Sequence, residues 1–158
     1  MVDEKTFVKS GEVLKSSGMK QLGNQVAMEQ ADEVGFVSEQ GVSYIELHKH
    51  LFPVFSEIYE NLNRYFSDVF ENCITMEVQG TTLYAMNLDR HLFYLICHAY
   101  KHFVGSGFGI RQVCDSIIFA NVYGQKIDWL QLLVWCKQIR AEKFAPALFR
   151  IGKKIFDI

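Results

Sequence analysis

Residues 91–115, HLFYLICHAYKHFVGSGFGIRQVCD, decide the fold because they combine an almost uninterrupted apolar helical pattern with regularly placed polar residues. At about 100° per residue, His91, His98 and His102 fall on one stripe of a helix. An unpaired polar group in an otherwise buried helix costs about 1–3 kcal/mol. The pattern therefore predicts a helix whose histidines are either satisfied inside the core or turned towards a cleft.

The sequence on either side of this stretch makes the whole C-terminal half helical. Asn87 is a good N-cap, and Asp128 forms a capping box with Gln131. The glycine-rich residues 105–109 lack the Lys-Ser/Thr of a phosphate loop, which favours a flexible connection between helices. We expect core packing for the apolar run 129–139, and helices over residues 88–103, 110–122, 129–139 and 144–156.

The N-terminal half mixes helix and strand patterns, and residues 19–31 stay open between loop and strand. Asp3 can cap a first helix that Gly18 stops. The predicted elements are helices over residues 4–17 and 54–70 and hairpins over residues 34–48 and 73–86. The sequence therefore predicts an α+β fold, with a β-containing region over residues 1–86 and a helical region over residues 87–158 in one compact domain.

Composition limits the class of protein. The 158 residues are 49% hydrophobic and 22% charged, with a net charge of −2, so the net charge gives no long-range attraction to duplex nucleic acid or an acidic membrane surface. The four cysteines are far apart without C-x-x-C spacing, which predicts a reduced, cytoplasmic protein. We expect neither a signal peptide nor a transmembrane helix, because no long uncharged apolar stretch is present.

Three groups of residues are candidates for chemistry. Glu46 and His48 alternate onto one face of the second predicted strand, an arrangement typical of a reactive site rather than of packing. Their strand neighbours Val42 and Tyr44 share that face.

His98 and His102 have the i, i+4 spacing of a zinc pair, but no third ligand is indicated. A buried network or a metal-free cleft is the alternative for these histidines. Arg111 and Asp115 form either a surface ion pair, a buried polar network or part of a cleft, since Asp115 precedes an apolar segment.

Together these segments resemble the bacterial nucleotidyltransferases of the minimal-nucleotidyltransferase, or polymerase-β-like, superfamily. The resemblance covers nearly the whole chain. Because each motif is short, the resemblance rests on the order and spacing of the motifs along the chain. The matching pieces are Val2-Asp3-x-x-x-Phe7 with Leu14-x-x-x-Gly18-Met19, Ile45-Glu46-Leu47-His48, His98-x-x-Lys101-His102, Arg111-x-x-x-Asp115 and Ile127-Asp128-Trp129.

The resemblance implies a mixed β-sheet carrying three carboxylates, which hold two divalent metals, usually Mg²⁺, against a nucleoside triphosphate. Glu46 matches the third carboxylate and would be a partial metal site. Lys101, His102 and Arg111 would contact the nucleotide or its phosphates, and the supporting polar network would consist of His48, His98 and Asp115.

The sequence departs from the family pattern at one point. It contains no D-x-D pair, and the family's Gly-Ser and D-x-D segment is expected just before Val2. We therefore expect little or no nucleotidyl transfer from this chain alone. The alternatives are a non-catalytic interaction module that pairs or dimerises through an exposed sheet edge, and a metal-dependent enzyme built on the histidines.

Overall fold

The computed structural model describes residues 2–23, 27–54, 62–105, 107 and 109–156. The chain divides into two compact units, residues 1–63 and residues 64–158. The first unit packs a helix on an antiparallel sheet, and the second joins a β-hairpin to four helices. The predicted α+β class is confirmed.

The first unit begins with helix α1, Glu4–Ser16. The Asp3 carboxylate accepts a hydrogen bond from the Thr6 backbone N–H at 3.1 Å, which satisfies one of the free donors at the start of the helix. Phe7 is fully buried in this helix and contributes to the core of the unit. The helix predicted over residues 4–17 is confirmed, with its last residue one position earlier.

The sheet of the first unit has the order β1-β2-β3, with β1 Met19–Gln21, β2 Glu33–Ser38 and β3 Tyr44–His48. The predicted hairpin is confirmed as the β2–β3 pair. All strand pairs among the described residues are antiparallel, so the mixed sheet that the resemblance implies is not seen within them. One face of the sheet joins α1 in the core, which contains Phe7, Met28, Val34, Phe36 and Leu47.

The second unit contains the other predicted hairpin, β4 Cys73–Val78 paired with β5 Thr81–Met86. Gln79 and Gly80 both have positive φ, 50° and 78°, as a two-residue hairpin turn of type I′ requires. The four predicted helices follow as α2 Leu88–Gly105, α3 Ile110–Tyr123, α4 Trp129–Gln138 and α5 Phe144–Phe156.

Helix α2 is the centre of the second unit and packs against both α3 and α4. Leu92, Phe93 and Ile96 on its inner face are fully buried. The Phe93 ring lies 5.7 Å from the ring of Phe66 and 5.2 Å from that of Trp135. This aromatic cluster anchors α2, and α2 in turn carries the predicted histidine motif.

Two predictions about helical segments were wrong. Residues 62–70, the described end of the helix predicted over 54–70, form a short 3-10 helix, Asn63–Phe66, and turns; residues 55–61 lie outside the described part. In the run 129–139, Leu132 and Cys136 are buried, whereas Leu130 is 78% exposed and Leu133 and Val134 are each 49% exposed. The run therefore contributes one stripe to the core and leaves an apolar face open.

No helix in the described ranges is long and apolar enough to cross a membrane.

Candidate functional site

The open face of the first sheet brings together the predicted pair Glu46 and His48. Successive side chains of a strand alternate between its faces, so the burial of Leu47 against α1 turns its two neighbours outward. Nε2 of His48 lies 3.4 Å from a Glu46 carboxylate oxygen. The two side chains are 24% and 56% exposed, respectively, so both can reach a ligand above the sheet.

Tyr44 and Glu33 complete this cluster, which we call the Glu46 cluster: Glu33, Tyr44, Glu46 and His48. The Tyr44 hydroxyl donates a hydrogen bond to Glu46 Oε1 at 2.9 Å. Glu33 lies opposite His48 in the β2–β3 register, and its carboxylate is 3.5 Å from Nδ1 of that residue. The Glu46 carboxylate is therefore held from two sides, by a hydroxyl and by an imidazole.

Gly35 gives the Tyr44 ring its place on the sheet. It lies opposite Glu46 in the register, and a β-carbon at this position would stand 3.0 Å from the Tyr44 hydroxyl oxygen. The hydrogen bond to Glu46, helped by partial desolvation and by the charges of Glu46 and Glu33, raises the pKa of Tyr44. Tyr44 therefore remains a proton donor to Glu46 throughout the neutral range.

The helical motif forms a second cluster on α2. Nε2 of His98 and Nε2 of His102 lie 3.1 Å apart, so one ring donates the shared hydrogen and the other accepts it. The ring of His98 also stacks on Tyr94 at 5.8 Å with an angle of 3°. Lys101, between the two histidines in sequence, is partly buried. His98 and His102 are thus in direct contact on this helix.

Arg111 and Asp115 on α3 do not form the buried network that was one of the sequence interpretations. Nε of Arg111 and Oδ2 of Asp115 are 3.9 Å apart, with side chains 90% and 51% exposed, and Ile118 in the following turn is 54% exposed. The pair is therefore a surface ion pair, which contributes only about 0.3–0.5 kcal/mol at this helical spacing. Of the apolar segment that Asp115 precedes, Ser116 and Ile117 are buried whereas Ile118 is exposed.

Asp115 nevertheless faces a cleft. Together with His91 it lines a cleft of about 420 Å³ between α2 and α3, whose other lining residues are Leu95, Ile118, Phe119, Val122 and Tyr123. The His91 ring is half-buried and packs on Phe119 with their centroids 4.5 Å apart. Burial lowers the pKa of His91, which keeps this imidazole neutral at physiological pH.

The predicted site residues thus fall into two sets. Glu46 and His48 belong to the first unit, and the second unit carries the remainder, which are His98, Lys101, His102, Arg111 and Asp115. Among the described residues, no group of three or more His, Cys, Asp or Glu side chains is arranged to hold a metal ion. One carboxylate at Glu46 does not complete the two-metal site that the resemblance implies.

Glu33 is the member of the Glu46 cluster that sequence reasoning missed. The signal was available in principle, because strand alternation puts Glu33 on the same face of β2 as Gly35 and Val37. The register that places it beside His48 is a tertiary property, set by the length of the β2–β3 connection.

Comparison with known proteins identifies the family of the chain. A family model described as uncharacterised nucleotidyltransferase matches residues 1–157. The chain therefore belongs to this nucleotidyltransferase family. No curated protein and no solved structure gives a significant match.

Proposed function

We propose that the chain serves in the transfer of a nucleotidyl group from a nucleoside triphosphate to an acceptor, with Glu46 as one catalytic carboxylate. The observation that carries the proposal is the fixed Glu46 carboxylate on an open sheet face, 2.9 Å from the Tyr44 hydroxyl and 3.4 Å from His48. Membership of the nucleotidyltransferase family over residues 1–157 supports it. The four cysteines are free, which supports a reducing, cytoplasmic setting.

In this reaction an acceptor oxygen attacks the α-phosphorus in line, and pyrophosphate leaves with the electrons of the broken bond. The protein must position the triphosphate and offset its negative charge. We assign this role to Lys101, His102 and Arg111, as the resemblance implies. The Arg111 guanidinium is 90% exposed and only loosely paired with Asp115, so it is accessible to a phosphate.

The described residues do not supply a full set of ligands for the divalent metal of this reaction. Mg²⁺ would neutralise the phosphates and orient the attacking oxygen, and it is bound by carboxylates in near-octahedral geometry. Glu46 and Glu33 are the carboxylates at the Glu46 cluster, and Glu33 contacts the same imidazole as Glu46. We therefore propose that this chain transfers little or no nucleotidyl group without further carboxylates.

The edge of the first sheet indicates where such carboxylates would fit. The backbone N–H of Val2 donates to the carbonyl of His48 at 3.0 Å, so the residues leading into α1 lie alongside the end of β3. Within the described residues, no strand pairs with the side of β3 that faces away from β2. A strand carrying D-x-D next to β3 would bring its carboxylates to Glu46.

Titration calorimetry with ATP, GTP, CTP and UTP, with and without Mg²⁺, tests the proposal. We expect saturable, Mg²⁺-dependent binding of at least one nucleotide, lost in Glu46→Ala and in Lys101→Ala, and little label transfer from α-³²P nucleotide. Glu39→Ala, an exposed carboxylate in the β2–β3 turn, is the matched control for Glu46. Absence of binding to every nucleotide would refute the proposal, and rapid label transfer would refute the expected inactivity of the chain alone.

A second candidate function is a protein-interaction module that uses the same β3 edge. Its support is the exposure of apolar residues at this edge, where Val42, Tyr44 and Ile45 are 82%, 57% and 40% exposed. An open strand with apolar side chains favours pairing with another chain. Light scattering after size-exclusion chromatography would detect a dimer. If β3 forms the interface, Ile45→Lys should dissociate this dimer into monomers. A monomer at all concentrations would remove this candidate in its homodimeric form.

A further inference from the structure

The second unit contains a cavity that none of the nucleotidyltransferase motifs accounts for. Its volume is about 400 Å³, within the range of small-molecule sites, and it lies between α2 and α5. Two cationic residues and six aromatic or aliphatic ones line it: Arg140, Lys143, Tyr100, Phe103, Phe144, Ala147, Leu148 and Ile151.

The walls of the cavity suit a flat apolar body. The Phe144 ring lies 5.2 Å from Tyr100 and 5.2 Å from Phe103, so three rings line one side. A cavity of about 150 Å³ holds one benzene molecule, and this one therefore has room for about two rings. Its aromatic side offers the offset and tilted ring contacts that aromatic pairs prefer.

The lining of the cavity is positively charged. It includes Arg140 and Lys143, and none of the described lining residues is acidic. The Tyr100 hydroxyl donates a hydrogen bond to the Arg140 carbonyl at 3.3 Å, which ties this end of the cavity to α2. An apolar interior with cations at one end is complementary to a molecule with an apolar body and an anionic head group.

The backbone at Arg140 supports a role for its side chain. Arg140 has φ of 60°, a left-handed conformation that L-residues rarely adopt. It closes α4 in the position normally taken by glycine, with the Arg140 N–H bonded to the Lys137 carbonyl at 3.1 Å and the Ala141 N–H to the Cys136 carbonyl at 2.8 Å. Non-glycine residues in strained backbone conformations cluster at functional positions.

We propose that this cavity binds a small amphipathic anion, with an apolar body of one or two rings and one carboxylate, sulfonate or phosphate head group. The body lies among Tyr100, Phe103 and Phe144, and Arg140 and Lys143 receive the head group. The proposal is independent of the nucleotidyltransferase function, because it uses none of the residues assigned to nucleotide.

The test is calorimetric binding of two probes, naphthalene-2-sulfonate and the neutral naphthalene-2-sulfonamide. We expect the sulfonate to bind about ten-fold more tightly, as two exposed cations would provide. In Arg140→Gln/Lys143→Gln the two probes should bind equally, at the affinity of the sulfonamide. Lys126→Gln/Lys153→Gln removes the same charge from exposed residues outside the cavity and should leave the ten-fold difference intact.

A second variant tests the location without changing charge. Ala147→Trp fills the cavity and should abolish binding of both probes, with circular dichroism and thermal unfolding confirming that the variant folds. Equal affinity of the two probes for the unmodified chain would overturn the proposal, as would no binding of either. A difference that persists in Arg140→Gln/Lys143→Gln would place the anion elsewhere and also overturn it. If Ala147→Trp does not fold, the charge variants decide alone.

Discussion

Glu46 and His48 lie on the same face of β3, with a Glu46 carboxylate oxygen 3.4 Å from Nε2 of the imidazole. The other ring nitrogen of His48 is 3.5 Å from Glu33, so one imidazole joins carboxylates from two neighbouring strands. A neutral imidazole can donate to one of them and an imidazolium to both. The arrangement restrains Glu46 across the sheet, and Tyr44 restrains it along the strand.

Tyr44→Phe tests whether this restraint serves nucleotide binding. The variant removes the 2.9 Å hydrogen bond to Glu46 but keeps the ring over Gly35. A hydrogen bond of this kind contributes about 0.5–1.5 kcal/mol, so Mg²⁺-dependent nucleotide affinity should fall about three- to ten-fold while the melting temperature changes little. Calorimetry with Tyr84→Phe, an exposed tyrosine on β5, is the control. Equal affinities in both variants would argue against a positioning role for Tyr44.

The elements of the fold were largely predictable because local signals determine them. Asp3 caps α1, and residues 79 and 80 supply the positive φ of the β4–β5 turn. Apolar periodicity alone did not predict the burial of α4, since Leu130 and Leu132 are equally apolar and only tertiary packing selects Leu132 for the core. Apolar periodicity also predicted a helix over residues 54–70, whose described end instead contains the short 3-10 helix Asn63–Phe66.

The candidate sites were predictable only where one element carries the whole arrangement. Glu46 with His48 follows from strand alternation, and His98 with His102 follows from helical spacing. The approach of Glu33 to His48 depends on register. The cavity lined by Phe103 and Phe144 depends on how two helices pack, which no local pattern encodes.

The stability of the protein should depend on pH through His91. Burial lowers the pKa of His91, so its folded-state value lies below that of the unfolded chain, about 6.5. As pH falls through that value, the unfolded chain binds a proton first and the free energy of unfolding decreases until the folded-state pKa is passed. Asp115 and Tyr123 line the same cleft as His91.

Urea unfolding at pH 7.5 and pH 5 measures this dependence. His91→Gln should lose less stability between the two pH values than the unmodified chain. His50→Gln, at an exposed histidine, should behave like the unmodified chain. If both variants show the pH dependence of the unmodified chain, burial of His91 is not its source.

Zinc content tests whether His98 and His102 are a structural pair or part of a metal site. With Nε2 atoms 3.1 Å apart and no third ligand grouped with them among the described residues, we expect bound zinc well below one equivalent after dialysis. His98→Ala should then destabilise the fold by about 0.5–1.5 kcal/mol through the lost hydrogen bond. One equivalent of zinc by mass spectrometry, lost in both His98→Ala and His102→Ala, would instead support the metal-dependent alternative.

Packing of α5 on α3 should make Gly152→Ala destabilising. A β-carbon at residue 152 would overlap the side chain of Ile117, which is itself buried. Overpacking of this kind costs about 1–3 kcal/mol and exceeds the gain of about 1 kcal/mol that alanine normally gives in a helix.

A double-mutant cycle identifies the cause. Ile117→Val removes the terminal methyl group nearest to residue 152, so Gly152→Ala should cost less in that background than in the unmodified chain. Strictly additive changes in the free energy of unfolding would show that the two residues are not in competition for space.

Arg140→Gly should stabilise the protein and weaken anion binding at the same time. The left-handed conformation at φ 60° costs an L-residue about 1–2 kcal/mol, and glycine avoids this cost. Glycine also raises the conformational entropy of the unfolded chain, which lowers the free energy of unfolding by about 0.4–1 kcal/mol. A net gain of about 0–1.6 kcal/mol is therefore expected in urea unfolding. Arg140→Gln keeps the strained backbone and removes the charge, so it should lose naphthalene-2-sulfonate affinity without gaining stability. If the glycine variant is less stable than the glutamine variant, the backbone cost at residue 140 is smaller than the entropy that glycine adds to the unfolded chain, and the conformation gives no support to a functional role for the arginine.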